Sequence, residues 1–576
     1  GSSLVDSDIT FRPEYEALSY VWGEISPAKY ISLDENDIAI TPNLHSALSH
    51  LRSTDSVRTI WVDALCINQS FHDERNQQVR IMGDIYKSAK QVIVWLGDAA
   101  DDSHLVFEHL KDDNITDSFP NYPETPEAKR KAWKALVKRP WFYRTWVIQE
   151  IALARRAVIM CGEDATLWRN VETSWKPDFS GGAKGLSMVR GSPGNQSDHP
   201  ISGFDPDSHV WRLRLLEAES HPMSILRYSR VCGTTEVRDK IYGILGLFKP
   251  GFVEVDYDLP VESIFHHFAE AVIESTGDLD ILKHAGVSQK YESLPSWVPD
   301  FTETSTRSLR GYSWYPPWRA DAPSEYEMRF ADGTQISIPR GDLASKYLPG
   351  LSFSADRSLV IKGKMVDSIR SVSVELPSGT SHAPGTDAFV LVMQDWETLA
   401  ATLIPEWEPS RSSVSSAFAA TISATHGDQI FSVDDGFTQW YRHCGTGTLE
   451  KADPSMFLRD HEFYLWWCDV GKPNDSDVEE YGGLGYHMRE FADKMMAASY
   501  GRCLFTTENG SMGLASPRVH AGDRIVYFPG SSEPFVLQKR EDGKGWTLVG
   551  DCYLYGLDID DLFHDKEHLG EDFSIY

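Results

Sequence analysis

The sequence predicts an α/β protein: an N-terminal parallel sheet flanked by helices, a mostly helical middle region and a small antiparallel β domain at the C-terminal end. Up to about Cys161, short and nearly all-apolar strands alternate with amphipathic helices, which is typical of a parallel sheet covered on both faces. Between residues 210 and 276 the apolar periodicity is mostly helical. Between residues 502 and 557 short strands alternate with glycine-containing turns.

Four apolar runs predict the strands of the parallel sheet, at residues 16–23, 59–63, 91–97 and 157–161. Thr41 followed by Pro42 predicts an N-cap with proline in the first helical position. Pro140 breaks the helix predicted before it, and a new helix begins shortly afterwards. Ligands bind at the carboxyl ends of the strands in such sheets, so the residues at those ends are candidates for a binding site.

The chain has 576 residues, too many for one hydrophobic core, and we predict four regions. Residues 1–170 form the α/β domain, and residues 171–300 a helical region with a mobile loop at 177–208, a stretch rich in Gly, Ser, Pro and Asp. Residues 301–500 form a mixed α/β region. Residues 501–576 form a small β-barrel-like domain, with predicted turns at Gly510, Gly522, Gly530 and Gly543.

Charge and cysteine usage exclude several classes of protein. The formal net charge of −30 argues against a nucleic-acid binder or a binder of anionic membranes, since both need a basic face. The 7 cysteines are scattered without a Cys-x-x-Cys pair, which predicts reduced thiols in a cytoplasmic protein and no metal site. No apolar run is long enough to span a membrane. There is no Gly-x-Gly-x-x-Gly and no Gly-Lys-Ser/Thr loop, so neither a Rossmann dehydrogenase nor a P-loop enzyme is predicted.

The helix after Pro140 contains the main candidate for a functional residue. Its side chains from Trp146 to Ala154 are mostly apolar, yet it includes Gln149 and Glu150. Trp146 and Glu150 are four residues apart, so we expect them on one face of the helix. A carboxylate there is either paired, neutralised or exposed at the floor of a cleft. The alternative is a structural glutamate that caps a neighbouring backbone or pairs with Arg144.

Polar and aromatic side chains follow two of the predicted strands and are expected to converge on one crevice with Glu150. The candidates for substrate binding are Ser19, Tyr20, Trp22, Gly23, Asp63, Asn68, Gln69 and Trp146. Tyr20, Trp22 or Trp146 offers a stacking face, although each tryptophan alone is more often a core residue. Asp63 has the alternative of orienting its own loop by accepting backbone N–H bonds.

Four blocks of sequence, in order along the chain, carry a family resemblance. They are Tyr15-Glu-Ala-Leu-Ser-Tyr-Val-Trp-Gly23, Ile60-Trp-Val-Asp-Ala-Leu-Cys-Ile-Asn-Gln69, the stretch from Gln78 to Gly97, and Arg144-Thr-Trp-Val-Ile-Gln-Glu150. The chain resembles fungal heterokaryon-incompatibility (HET) domain proteins, whose domain is similar to the TIR fold. Weaker resemblances to larger proteins with this domain continue downstream, for example at residues 238–247 and 294–300.

The resemblance implies a role in nonself recognition and cell death, and cleavage of NAD at the nicotinamide–ribose bond by TIR-like enzymes. Glu150 then matches the catalytic glutamate of those enzymes and Trp146 their preceding tryptophan, whereas Val147 stands where their pattern has cysteine. NAD is expected as a substrate, with no cofactor. A homo-oligomer and a triggering protein partner are expected as well. The alternative is a noncatalytic death-signalling module that acts through self-association.

One carboxylate is enough for this reaction in chemical terms. Most glycosidases use two carboxylates because the leaving oxygen must be protonated, whereas nicotinamide leaves as a neutral base. A lone Glu150 would hold the ribose hydroxyls and stabilise the cationic transition state. Ser19, Asn68 and Gln69 would donate hydrogen bonds to phosphate or ribose oxygens.

Overall fold

The computed structural model describes the greater part of the chain, in two compact units. The described residues are 14–24, 26, 28–111, 126–174, 222–277, 279–286, 288, 290–303, 325–329, 335–339, 351–377, 387–403, 411–424, 494–496, 498–529, 531, 533–557 and 570–576. One unit consists of Gly1–Arg190 and Phe204–Val261, the other of Gly191–Gly203 and Glu262–Tyr576. The loop predicted at 177–208 lies outside the described residues, and the division into four regions stays a prediction.

The first unit is built on a five-stranded sheet. Its elements are β1 (Glu16–Tyr20), β2 (Lys29–Leu33), β3 (Asn36–Ile40), α1 (Pro42–Leu51), β4 (Ile60–Trp61), α2 (Asp63–Cys66), α3 (His72–Ser88), β5 (Gln91–Trp95), α4 (Ser103–Leu110), α5 (Glu127–Val137), α6 (Val147–Ala152), β6 (Ala157–Cys161), β7 (Asp164–Leu167) and α7 (Trp168–Ser174). The strand order is β4-β1-β5-β6-β7. All neighbours are parallel except β6 and β7, while β2 and β3 form a separate hairpin.

Helices cover both faces of this sheet, and the apolar pattern of β1 shows why. Leu18 and Tyr20 belong to one buried cluster with Leu44 and Ala47 of α1. Side chains alternate along a strand, so Ser19 faces the opposite side, where it meets α6. Helix α1 begins as predicted, because the Thr41 hydroxyl accepts a hydrogen bond from the Leu44 amide at 3.3 Å. The α/β fold class predicted from the sequence is confirmed.

Residues 222–261 complete the first unit. They contain α8 (Pro222–Ser229), α9 (Asp239–Tyr242) and a 3₁₀ turn, Leu245–Leu247. The turn packs against α3 so closely that a Cβ built on Gly83 would lie 2.8 Å from the Gly246 Cα. Only glycine on both sides permits this approach of two backbones.

We expect Gly83→Ala to destabilise the first unit by about 1–3 kcal/mol, because the added methyl group meets backbone that cannot rotate away. This steric cost exceeds the gain of up to about 1 kcal/mol that alanine brings to a helix interior. The control is Gly233→Ala, whose added Cβ would meet its nearest neighbour at an ordinary 3.7 Å. Thermal unfolding followed by circular dichroism measures both. A Gly83→Ala protein that melts at or above the wild-type temperature would contradict the close contact.

The second unit joins a helical part to an antiparallel barrel. Its described elements are α10 (Val261–Thr276), β8 (Glu325–Arg329), β9 (Gln335–Pro339), β10 (Ser352–Phe353), β11 (Leu359–Leu376), α11 (Asp387–Ala401), α12 (Arg411–Ile422), β12 (Arg502–Thr507), β13 (Met512–Ala515), β14 (Arg524–Tyr527), β15 (Phe535–Lys539), β16 (Trp546–Leu554) and β17 (Glu571–Ile575). Strands β11-β12-β13-β16-β15-β14 pair in that order, and β14 pairs again with β11, which closes the ring.

Strands β12, β13 and β16 are buried on both faces along most of their length, which explains why their sequences are mostly apolar. Cys503, Phe505 and Ala515 pack with one another in one cluster. Their neighbours Leu504 and Leu514 point the other way and pack against α11 and α12. The predicted turns at Gly510, Gly522 and Gly543 all have positive φ, which favours glycine, and Gly530 lies outside the described residues. The antiparallel C-terminal sheet is thus confirmed, with the 18-residue strand β11 added from the middle of the chain.

Candidate functional site

Glu150 is buried in the first unit, on the face of the sheet to which Ser19 of β1 points. Its side chain is 2% exposed, and the Ser19 hydroxyl donates a hydrogen bond to Glu150 Oε2. The same hydroxyl accepts a hydrogen bond from Trp141 Nε1 at 2.8 Å. Ser19 is the second-last residue of β1, and Trp141 belongs to the 3₁₀ turn Pro140–Tyr143 that precedes α6. Strand β1 and the 3₁₀ turn therefore hold the carboxylate in place through Ser19.

Burial raises the pKa of Glu150 to about 7, since a charged carboxylate loses its hydration there. The positive charge of Arg144 and hydrogen bonds from Ser19 and Tyr86 oppose this rise, while the negative charge of Asp63 adds to it. Glu150 is consequently balanced between its ionised and neutral forms near neutral pH. Perturbed carboxyl groups of this kind occur at functional sites and in structural networks alike.

Asp63 is a second buried carboxylate, and the positive charge of Arg144 affects both Asp63 and Glu150. Asp63 opens α2 directly after β4 and accepts hydrogen bonds from Trp22 Nε1 at 2.8 Å and from the Ala64 amide at 2.7 Å. The Tyr20 hydroxyl also bonds to it, and burial raises the pKa of Asp63. The Arg144 guanidinium donates to the Tyr20 carbonyl, and its charge lowers the pKa of both carboxyl groups.

The strand order places these groups where ligands bind in open α/β sheets. The chain passes from β1 to β4 on one side, then to β5 and β6 on the other. The order therefore reverses beside β1, and the crevice beyond the carboxyl ends of the strands at such a point is the usual ligand site. Tyr20 is the last residue of β1, and Trp22 follows in a segment that turns at Gly23, which has a φ of +73°.

Asn68 and Gln69 take more local roles in the structure. The Asn68 side chain is exposed, and its Oδ1 accepts hydrogen bonds from the amide and hydroxyl of Ser70. Gln69 Nε2 donates to the Asp63 carbonyl at 3.3 Å and so lies beside the acidic group. The structure thus joins Ser19 to Glu150 on one face of β1 and gathers Tyr20, Trp22 and Gln69 around Asp63 near the end of that strand. The charge of Arg144 acts on both carboxylates, whereas Asn68 stabilises its own turn.

Trp146 and Glu150 have different partners although they are four residues apart. Trp146 immediately precedes α6, and its Nε1 donates to Asp239 Oδ2 at 3.0 Å. Sequence reasoning also missed Trp141 and Tyr86, which contact Ser19 and Glu150 directly. Trp141 belongs to a run of three aromatic residues after Pro140, but nothing in that run indicated a hydrogen bond to a residue of β1.

The described part of the chain offers no metal centre and no membrane span. Within those residues, no group of three or more His, Cys, Asp or Glu side chains is placed to hold a metal ion. The same residues contain no helix that is both long and apolar enough to cross a membrane.

Comparison with known proteins identifies two domains. Residues 15–150 match the model of the heterokaryon incompatibility protein (HET) family, and residues 483–574 match that of the Het-6 β-barrel domain. Heterokaryon incompatibility protein 6, OR allele, from Neurospora crassa is 25% identical over 676 residues, covering 99% of this chain and 93% of that protein. No solved structure matches the chain significantly. The chain is therefore similar to fungal heterokaryon-incompatibility proteins, with an N-terminal region that matches the HET family and a C-terminal region that matches the Het-6 β-barrel domain.

Proposed function

We propose that this protein is an effector of fungal nonself recognition whose HET domain binds NAD and cleaves it at the nicotinamide–ribose bond. The products are nicotinamide and ADP-ribose, with one water consumed and one proton released. Similarity to heterokaryon-incompatibility proteins supports the biological role. The site around Glu150 supports the chemistry. A cytoplasmic location, where NAD is abundant, is part of the proposal.

The observation that carries the proposal is the buried carboxylate of Glu150, which the Ser19 hydroxyl holds beneath the strand at which the sheet order reverses. When the bond to nicotinamide breaks, positive charge develops on the ribose. A preorganised carboxylate in a water-poor site stabilises such charge far more strongly than the same group in water. Nicotinamide leaves as a neutral base, so the reaction needs no second carboxyl group as an acid.

The surroundings of Glu150 supply the other groups that a dinucleotide needs. Trp22, 36% exposed, is the aromatic ring nearest to solvent in this group and offers a stacking face. Arg144 supplies a positive charge that suits a diphosphate. Asp63, Gln69 and Ser19 supply polar groups for ribose hydroxyls, and Tyr20 and Gly23 line the same strand end.

Access to Glu150 requires a change of conformation, because only 2% of its surface is exposed. The hydrogen bond between Trp22 and Asp63 lies on the side of the strand ends. We propose that self-association, or a triggering protein partner, opens this side and makes the carboxylate available. A homo-oligomer is therefore expected in the active state.

The test is to incubate the purified full chain with NAD and to measure nicotinamide by chromatography over a range of protein concentrations. We expect specific activity that rises with protein concentration, as it does when the active form is an assembly. Activity that stays constant on dilution of a protein that remains monomeric would contradict the role of assembly. Absence of nicotinamide at every concentration, including those at which the protein is assembled, would contradict catalysis.

The burial of Glu150 also favours a second candidate function. A carboxylate that is almost fully covered and bonded to Ser19 and Tyr86 is compatible with a structural role. The protein would then be a noncatalytic signalling module that acts through self-association. Self-association without nicotinamide release, unaffected by Glu150→Gln, is the result that this function predicts.

A further inference from the structure

We propose that residues 222–261, which lie beyond the matched HET region, hold the helix of Glu150 in its working position, with Asp239 as the main positioning residue. The activity part of this inference rests on the proposed function, whereas the positioning itself does not. The segment makes three independent contacts with residues 143–149, each within a few residues of Glu150.

The first contact is the carboxylate of Asp239, which is buried in α9. It accepts hydrogen bonds from Trp146 Nε1 at 3.0 Å and from the Tyr257 hydroxyl at 2.6 Å. Arg75 of α3 lies 3.9 Å from the same carboxylate and stacks over the Tyr257 ring at 3.6 Å. Trp146 is the N-cap residue of α6, so this arrangement fixes the start of the helix relative to α3.

The second contact lies next to Glu150 in the sequence. Gln149 is 1% exposed, and its Oε1 accepts a hydrogen bond from the Gly246 amide at 2.9 Å. Gly246 is the residue that packs against Gly83 of α3 without room for a side chain. The middle of α6 is thus linked to α3 as well, through the contact between Gly246 and Gly83.

The third contact is a short backbone bridge before α6. The Thr145 amide donates to the Gly233 carbonyl at 3.1 Å, and the Gly233 amide donates to the Tyr143 carbonyl at 2.6 Å. Backbone bonds of this kind fix the direction in which the chain enters the helix. Together the three contacts hold α6 from one side, while Ser19 receives the Glu150 carboxylate on the other.

Asp239 acts through Trp146, and its described partners do not include Glu150. A reacting group displaced by about 1 Å loses roughly a hundredfold in rate, so fixing α6 matters for the chemistry. Loosening α6 would also let water reach the carboxylate. The charged and titratable groups that face Glu150 directly are Arg144, Asp63, Tyr86 and Tyr20, and none of them is altered by changes at Asp239 or Tyr257.

The experiment compares Asp239→Asn and Tyr257→Phe with Tyr242→Phe in the full chain. Tyr257→Phe removes one hydrogen bond to Asp239 and keeps the ring on which Arg75 stacks. Tyr242→Phe is the matched control, because it removes a hydroxyl bonded to the Asp256 carbonyl at 2.9 Å in the same segment. The titration of Glu150 is followed by the infrared band of its protonated carboxyl group, as the difference between each protein and its Glu150→Gln counterpart.

We expect both test variants to lower the titration midpoint of Glu150 from about 7 towards 4.5, since added water favours the charged form. We expect kcat for NAD cleavage to fall about tenfold or more with a smaller change in KM. The control should keep the wild-type midpoint. An unchanged midpoint in both test variants overturns the inference, as does an equal shift in Tyr242→Phe. If no variant and no wild-type protein cleaves NAD, the proposed function fails while the infrared titration still decides the positioning.

Discussion

Replacing Glu150 by glutamine is expected to abolish NAD cleavage while the fold remains intact. Glutamine keeps the shape of the side chain and accepts the hydrogen bond from Ser19, but it carries no negative charge. If that charge stabilises the cationic transition state, its loss costs roughly a hundredfold or more in rate. Nicotinamide release by wild type and variant at equal protein concentration measures the effect.

Glu127→Gln is the control for this comparison, because Glu127 is exposed on α5 and pairs with Arg130 on its own helix. It should retain wild-type activity. A Glu150→Gln protein that melts normally and still releases nicotinamide at the wild-type rate would rule out the catalytic assignment. The proposed NAD cleavage by wild type should slow as the pH drops below about 7, because the ionised form of Glu150 is then depleted.

The raised pKa of Glu150 also predicts how the stabilities of wild type and Glu150→Gln differ with pH. Burial raises the pKa from about 4.5 in the unfolded chain to about 7 in the folded one. Between these values the folded state binds more protons than the unfolded state, so Glu150 makes the wild type less stable as the pH rises. The cost is absent below about pH 4.5, complete above about pH 7, and amounts to about 3 kcal/mol.

Glutamine resembles the neutral form and carries no such cost. The free energy of unfolding of Glu150→Gln minus that of wild type is therefore expected to increase by about 3 kcal/mol between pH 4.5 and 7. Chemical denaturation of both proteins across this pH range measures the difference. A difference that decreases with pH would mean that the ionised carboxylate is stabilised by Arg144 more than it is destabilised by burial.

The parts of the fold that depend on local pattern were predictable from the sequence. Strands β1 and β5 are short apolar runs that end close to glycine, and Thr41 with Pro42 marks the start of α1. The barrel strands were predicted from their glycine turns. The closure of the barrel by β11 was not predicted, because more than a hundred residues separate β11 from β12 and no local signal specifies that pairing.

In the candidate site, too, contacts between residues far apart in the sequence were not predictable. Glu150 was found from its position as a polar residue in an apolar helix, and Ser19, Tyr20, Trp22 and Asp63 from their positions at strand ends. Their contacts were not predictable, since Ser19 and Glu150 are 131 residues apart in the chain. The role of residues 222–261 was missed for the same reason, because Asp239 meets Trp146 across 93 residues.

Removing the Asp551 carboxylate from the barrel is expected to cause a large loss of stability in the second unit. This carboxylate lies 2.8 Å from Arg502 Nη2, and the two side chains are only 2% and 5% exposed. The pair reaches across β13, which separates β12 from β16. Asp551→Ala leaves the Arg502 charge buried without its carboxylate, at a cost of about 3–5 kcal/mol.

Two further variants separate the buried charge from the loss of packing. Arg502→Met combined with Asp551→Ala removes both charges, so most of the lost stability should return. Asp542→Ala breaks an exposed ion pair with Arg540 on the turn between β15 and β16, and it should leave the barrel as stable as wild type. Hydrogen exchange of the β12 and β16 amides reports on the barrel separately from the first unit. If the double variant were as unstable as Asp551→Ala alone, the loss would come from the cavity at residue 551 and not from the stranded arginine.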